Sequence, residues 1–133
     1  MVQKNHTNIN NIIRQEFSTS FMNDSKWEKL LGELTNEFDK ICLSFKLIYN
    51  DDIKTTIFIS PDYKPFFIEP ILFKEVEWIE FFASTKIIIN KKKTKQYEKE
   101  IIQDLNLIEN KIIGIGDFFY YKNALSLRLF AYK

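Results

Sequence analysis

Glu75, Glu77 and Glu80 fall within the nine residues KEVEWIEFF, close enough to suggest an acid/base pair or an oxygen-ligand metal site. Either chemistry needs several carboxylates converging on one pocket. On a strand, Glu75 and Glu77 share one face about 7 Å apart, set by the rise per residue. Glutamates alternating with Val76 and Trp78 are also what a half-exposed strand shows. The expectation is therefore that Glu75 and Glu77 line a solvated strand face. Glu80 falls on the Trp78 side, where the alternation slips, so a strand end or a bulge is expected there.

The other reactive residue types form no stronger pattern. Asp51 and Asp52 follow Asn50 between two apolar runs, which is turn chemistry. A calcium loop would need more oxygens at fixed spacing and a glycine. The basic run NKKKTK lacks the Gly-rich cradle of a phosphate site and reads as a solvated lead-in to a helix. The GIG at 114–116 lacks the third glycine of a dinucleotide fingerprint. Cys42 and His6 are the only cysteine and the only histidine. An intrachain disulfide and a zinc site built from Cys and His are thereby excluded. No nucleophile elbow accompanies any serine. No cofactor is expected.

The chain has 133 residues, 45% of them hydrophobic and 16% aromatic, with 13 phenylalanines against three glycines. That suits one domain with a real core rather than a disordered chain. Nineteen basic and 18 acidic residues leave a formal net charge of +1. Nucleic-acid binding usually shows a clear basic excess, so it is not expected. No segment reaches the roughly 18 apolar residues of a membrane span. The opening MVQKNHTNINN lacks the apolar core of a secretory signal. A cytoplasmic protein of bacterial type is the expectation.

These residues must be positioned by local elements. Residues 1–8 are polar and expected to form a disordered tail. Ile9, Ile12, Ile13 and Phe17 then make one stripe of a short helix. A second helix follows in NDSKWEKLLGELTNEF, with Ser25 and Glu28 as a capping box and Trp27, Leu30, Leu31, Leu34 and Phe38 as its apolar stripe. ICLSFKLIYN and IKTTIFIS alternate about the NDD turn and read as an antiparallel hairpin. Pro61, Pro65 and Pro70 then mark a loop, with one short extended piece at 66–68. KEVEWIEFF is read as a strand, and TKIIIN as a further short one. A helix is expected over 94–110 on the spacing of Tyr97, Ile101, Leu105 and Ile108. Gly114 and Gly116 mark a bend, and DFFYY and LSLRLFAY form a final hairpin near KNA. Trp27 and Trp78 are both expected in the core. The sum is a single α+β domain, with a mainly antiparallel sheet of about five strands packed against two or three helices.

Three stretches carry a resemblance: NDSKWEKL, VEWIEF and the closing LRLFAYK. Together they resemble a family of small uncharacterised bacterial proteins with N-x-S/T-K-W, I/V-E-W-I and terminal I/L-R-I/L-Y/F-G/A-Y motifs. Ala131 stands where that pattern has glycine, and Phe130 where it has tyrosine. The family has no established activity, so the resemblance implies no catalytic residue. The profile is also similar in type to immunity proteins of bacterial toxin systems, which are small, lack catalytic motifs and act by binding one toxin. The expectation is a non-enzymatic protein-binding domain of that kind. Its candidate contact residues are Asp51, Asp52, Asp62, Tyr63, Phe66 and Phe67, extended by Glu75 and Glu77. Two alternatives stand beside it: a metal-dependent hydrolase using Glu75, Glu77 and Glu80, and a self-associating structural protein.

Overall fold

A computed structural model of the chain describes residues 6–62, 64–91 and 95–133. In chain order the elements are α1 (His6–Glu16), α2 (Asp24–Phe38), β1 (Ile41–Leu47), β2 (Ile53–Phe58), β3 (Phe66–Ile68) and β4 (Ile71–Leu72). A single 3-10 turn (Phe73–Glu75) leads into β5 (Val76–Phe82). Then come β6 (Ser84–Lys91), β7 (Lys95–Ile102), α3 (Leu105–Ile115), β8 (Tyr120–Lys122) and β9 (Ser126–Phe130). Five strands form one antiparallel sheet in the order β2-β1-β5-β9-β8, and β3-β4 and β6-β7 form two-stranded ribbons. The protein is thus an α+β domain, as the alternation of periods implies.

Helix α2 forms where its stripe predicts. Trp27, Leu30, Leu31 and Leu34 are all buried, and Phe38 is half-buried. Its cap is Asn23 rather than Ser25: the Asn23 Oδ1 accepts from the Lys26 amide at 2.8 Å. The buried stripe meets Leu43 and Phe45 of β1, Ile79 and Phe81 of β5, and Leu127 and Leu129 of β9 in one cluster. Leu105, Ile108 and Ile112 of α3 join it. Residues 6–8 belong to α1 rather than to a tail, and residues 1–5 lie outside the described residues.

Two elements depart from the sequence reading. The expected helix over 94–110 is instead strand β7 followed by α3. Gln, Glu and Lys favour helix over 96–100, but that preference yields to an eight-pair antiparallel ladder with the β-branched run of β6, from Ser84↔Ile102 to Lys91↔Lys95. The helix starts only after Asp104, whose Oδ1 accepts from the amides of Asn106 (3.0 Å) and Leu107 (3.2 Å). Between arm and helix sits Gln103. Its side-chain amide accepts from the Cys42 amide at 2.8 Å, and donates to the Cys42 carbonyl at 2.9 Å and the Phe82 carbonyl at 3.1 Å. It closes the gap beyond the last β1–β5 pair, Ser44↔Glu80.

The second departure is the place of the bulge in β5, which falls at Glu77 rather than at the Trp78–Ile79 slip in the alternation. Leu47 pairs with Val76 and Lys46 with Trp78, so Glu77 is the extra residue. Val76, Ile79 and Phe81 join the core cluster, while Trp78 and Glu80 fall on the opposite face of the sheet. Trp78 is buried at 4% exposure but lies outside that cluster.

Candidate functional site

The three glutamates that open the question do not converge. Glu75 is fully buried at the end of the 3-10 turn. Its Oε1 accepts from the Tyr49 hydroxyl at 2.8 Å and its Oε2 from the Leu72 amide at 2.7 Å. It therefore lines no wet strand face; it ties the β4–β5 connection to the end of β1. Glu77 is half-buried and accepts from Lys46 Nζ at 2.7 Å. Glu80 accepts from the Ser126 hydroxyl at 2.7 Å and from Arg128 Nη2 at 2.9 Å. Among the described residues no group of three His, Cys, Asp or Glu side chains is placed to hold a metal ion.

The sheet face carrying Glu80 is a polar layer. One cross-strand row runs Thr55, Ser44, Glu80, Arg128 and Tyr121. Ser44 and Thr55 share a 2.7 Å hydroxyl hydrogen bond. The Arg128 guanidinium lies 3.8 Å from the centre of the Trp78 ring while bonding Glu80. Burial of a charged pair here rests on that double engagement, carboxylate on one side and π-face on the other.

Beside this layer lies a cleft of about 430 Å³ between the end of α1 and the turn after β1. Glu16, Asp51 and Glu77 bring carboxylates to it, Lys46 an ammonium, and Ile12 and Phe17 an apolar wall. The cleft thus brings together Asp51 and Glu77 from the sequence-derived set. Asp52 is exposed on the same turn, where its amide donates to Asn50 Oδ1 at 3.2 Å.

The remaining candidates lie elsewhere. Asp62 is exposed, and its Oδ2 accepts from the Glu69 amide at 2.6 Å. Phe66 is half-buried against the core. Phe67 is no exposed anchor: it is fully buried, with ring centres 5.0 Å from Phe58, 5.2 Å from Phe45 and 6.2 Å from Trp27. A loop aromatic is drawn inward when the core offers three rings to meet it. Tyr63 lies outside the described residues. Sequence reasoning missed Lys46, Ser126 and Arg128, because each acquires its partner only through strand register.

Cys42 is buried, and burial pushes its thiol above the usual range, which disfavours the nucleophilic thiolate. Three tyrosines among the described residues titrate late; the hydrogen bond to Glu109, then burial and the charge of Glu109, raise Tyr120. Burial, and then the charge of Asp24, push Tyr132 up to about 12; its hydroxyl donates to the Lys74 carbonyl at 2.8 Å. Burial first, then the hydrogen bond to Glu75 and its charge, raise Tyr49 further. A phenol raised in the folded state contributes stability that is complete below the unfolded value, about 10, and is lost as pH rises through the folded one. Denaturant melts are therefore expected to weaken between about pH 10 and 12. Tyr132→Phe should make that decline shallower, and an unchanged slope would contradict the linkage.

The two neighbouring glutamates should respond differently to neutralisation. Glu75→Gln places an NH₂ where a buried acceptor is needed, and is expected to cost about 1–3 kcal/mol. Glu77→Gln removes a half-exposed ion pair and is expected to cost about 1 kcal/mol or less. Urea melts of the two variants check the order, and a larger loss at Glu77 would reverse it.

Fold and site together define an α+β domain whose sheet carries the paired polar side chains Ser44–Thr55, Lys46–Glu77 and Glu80–Arg128, beside an acidic cleft with an apolar wall. The chain belongs to a family of unknown function, DUF6678, whose model matches residues 9–120. The NDSKWEKL and VEWIEF stretches fall inside that match, and LRLFAYK lies beyond it. No curated protein and no solved structure matches the chain. Among the described residues no helix is long and apolar enough to cross a membrane.

Proposed function

We propose that this protein is a non-enzymatic protein-binding domain, and that it serves as an immunity protein that binds and blocks a cognate bacterial toxin inside the cytoplasm. The observation that carries the reading is the surface of β2 and the turn before it. Strand β2 is at the sheet edge, so one side of its backbone is open to a further strand. Ile53 (58% exposed), Ile57 (39%) and, just past the strand, Ile59 (68%) alternate along it. Asp51 and Asp52 stand exposed at its start. Apolar anchors beside carboxylates suit a partner with a basic rim: the anchors supply affinity and the charges speed encounter.

The test is co-expression with a toxin encoded beside this gene. Growth should be rescued by the native chain and lost in an Ile53→Asp, Ile57→Asp double variant that keeps its melting temperature. Absence of rescue by the native chain would sink the immunity role. A concentration-dependent dimer in sedimentation, abolished by the same double variant, would assign the surface to self-association instead.

A further inference from the structure

We infer that the cleft between the end of α1 and the turn after β1 receives one basic side chain, arginine or lysine, from the protein partner. The inference rests on the protein-binding reading and adds the chemistry that one part of the surface recognises. The cleft, about 430 Å³, falls in the size range of small-ligand sites, and so has room for a long side chain. Ile12, Phe17 and Ile48 give it an apolar lining suited to a methylene stem. Phe17 is held in place by stacking on Tyr132, with ring centres 5.0 Å apart.

The charge of the lining selects the sign of the guest. Three carboxylates, on Glu16, Asp51 and Glu77, face a single ammonium, on Lys46. That ammonium is already engaged by Glu77 at 2.7 Å and by the Leu47 carbonyl at 3.1 Å. Ile12, Glu16 and Phe17 line the cleft at the C-terminal end of α1, where the helix dipole presents its negative pole. An anion would meet repulsion from both sources. A compact metal ion would need converging ligands that the described residues do not supply. A diffuse organic cation on an aliphatic stem meets both the apolar wall and the charge.

The probes are N-acetyl-arginine amide and N-acetyl-lysine amide, titrated into the full chain at low salt and followed by amide NMR shifts. N-acetyl-citrulline amide is the uncharged isostere, and spermidine represents a free cation that belongs to no protein. Saturable shifts at Phe17, Tyr49 and Asp51 are expected with either basic probe and not with citrulline. Asp51→Asn, an exposed turn substitution, should weaken the basic probes about fivefold, the scale of one carboxylate at close range. Equal response to citrulline, or no saturable shift with either basic probe, would overturn the inference. Much tighter binding of spermidine than of the basic amides would overturn the assignment to a protein side chain. No partner protein enters this titration, so its failure would leave the toxin test standing. Failed rescue beside a positive titration would count against the immunity role alone.

Discussion

Trp27→Ala is expected to lower stability by about 3–5 kcal/mol, the usual cost of truncating a fully buried aromatic side chain. Trp27 is 1% exposed and stacks on Phe73 with ring centres 6.1 Å apart, while Phe67 meets its edge. Those contacts join α2 to the turn that delivers Glu75 and to the proline-rich loop. The loss therefore reaches beyond one cavity: Phe67 and Phe73 lose their shared partner, and the loop is left attached to the core through the Phe45 and Phe58 contacts of Phe67. Urea denaturation followed by far-UV circular dichroism checks the magnitude. A loss below about 1 kcal/mol, the range of surface substitutions, would mean that the helix stripe does not anchor the fold.

Arg128→Ala is the second large effect, expected at about 3 kcal/mol or more, since removing one partner strands a buried charge. Glu80 is 8% exposed and would keep the Ser126 hydroxyl but lose both guanidinium donors, at 2.9 and 3.3 Å. Trp78 would also lose the planar group 3.8 Å above its ring. Arg128→Lys keeps the charge but not the planar fork, and should recover only part of the loss. The double variant Arg128→Met, Glu80→Gln separates charge from packing. If the stranded carboxylate is the dominant cost, the pair of changes should be milder than Arg128→Ala alone. A double variant as damaged as the single one would locate the cost in the Trp78 contact.

What the sequence shows of this fold is what local periodicity can encode. Trp27, Leu30, Leu31 and Leu34 announce their buried face because a helix repeats it every turn, and the β1–β2 hairpin is legible because alternation and turn residues agree. Residues 95–102 were hidden because their composition favours helix and only the pairing with β6 makes them a strand. Asp104 was the available signal: it begins a new stripe at Leu105, Ile108 and Ile112. Glu75 reads as exposed between Lys74 and Val76, and its burial follows from Tyr49, 26 residues away in the chain. Likewise Asp51 and Glu77 could each be nominated, but their meeting at one cleft depends on the bulge that displaces Glu77 and on the end of α1. Recognition surfaces are assembled from distant segments, and no local pattern records the assembly.

Because one carboxamide fills the space beyond the β1–β5 ladder, the β6–β7 ribbon and the sheet are joined there by three side-chain hydrogen bonds. Each such bond contributes about 0.5–1.5 kcal/mol net. Lifting the ribbon is therefore expected to cost less than unfolding the sheet, which would give the chain two cooperative units of unequal stability. The Cys42 amide sits on the boundary: its position belongs to the stable sheet, yet its hydrogen-bond acceptor belongs to Gln103 at the ribbon's base. Its solvent exchange would follow the ribbon's opening, while core-facing neighbours such as Leu43 and Phe45 exchanged only on global unfolding. A partner that fixes the ribbon would then slow exchange at Cys42 without touching it.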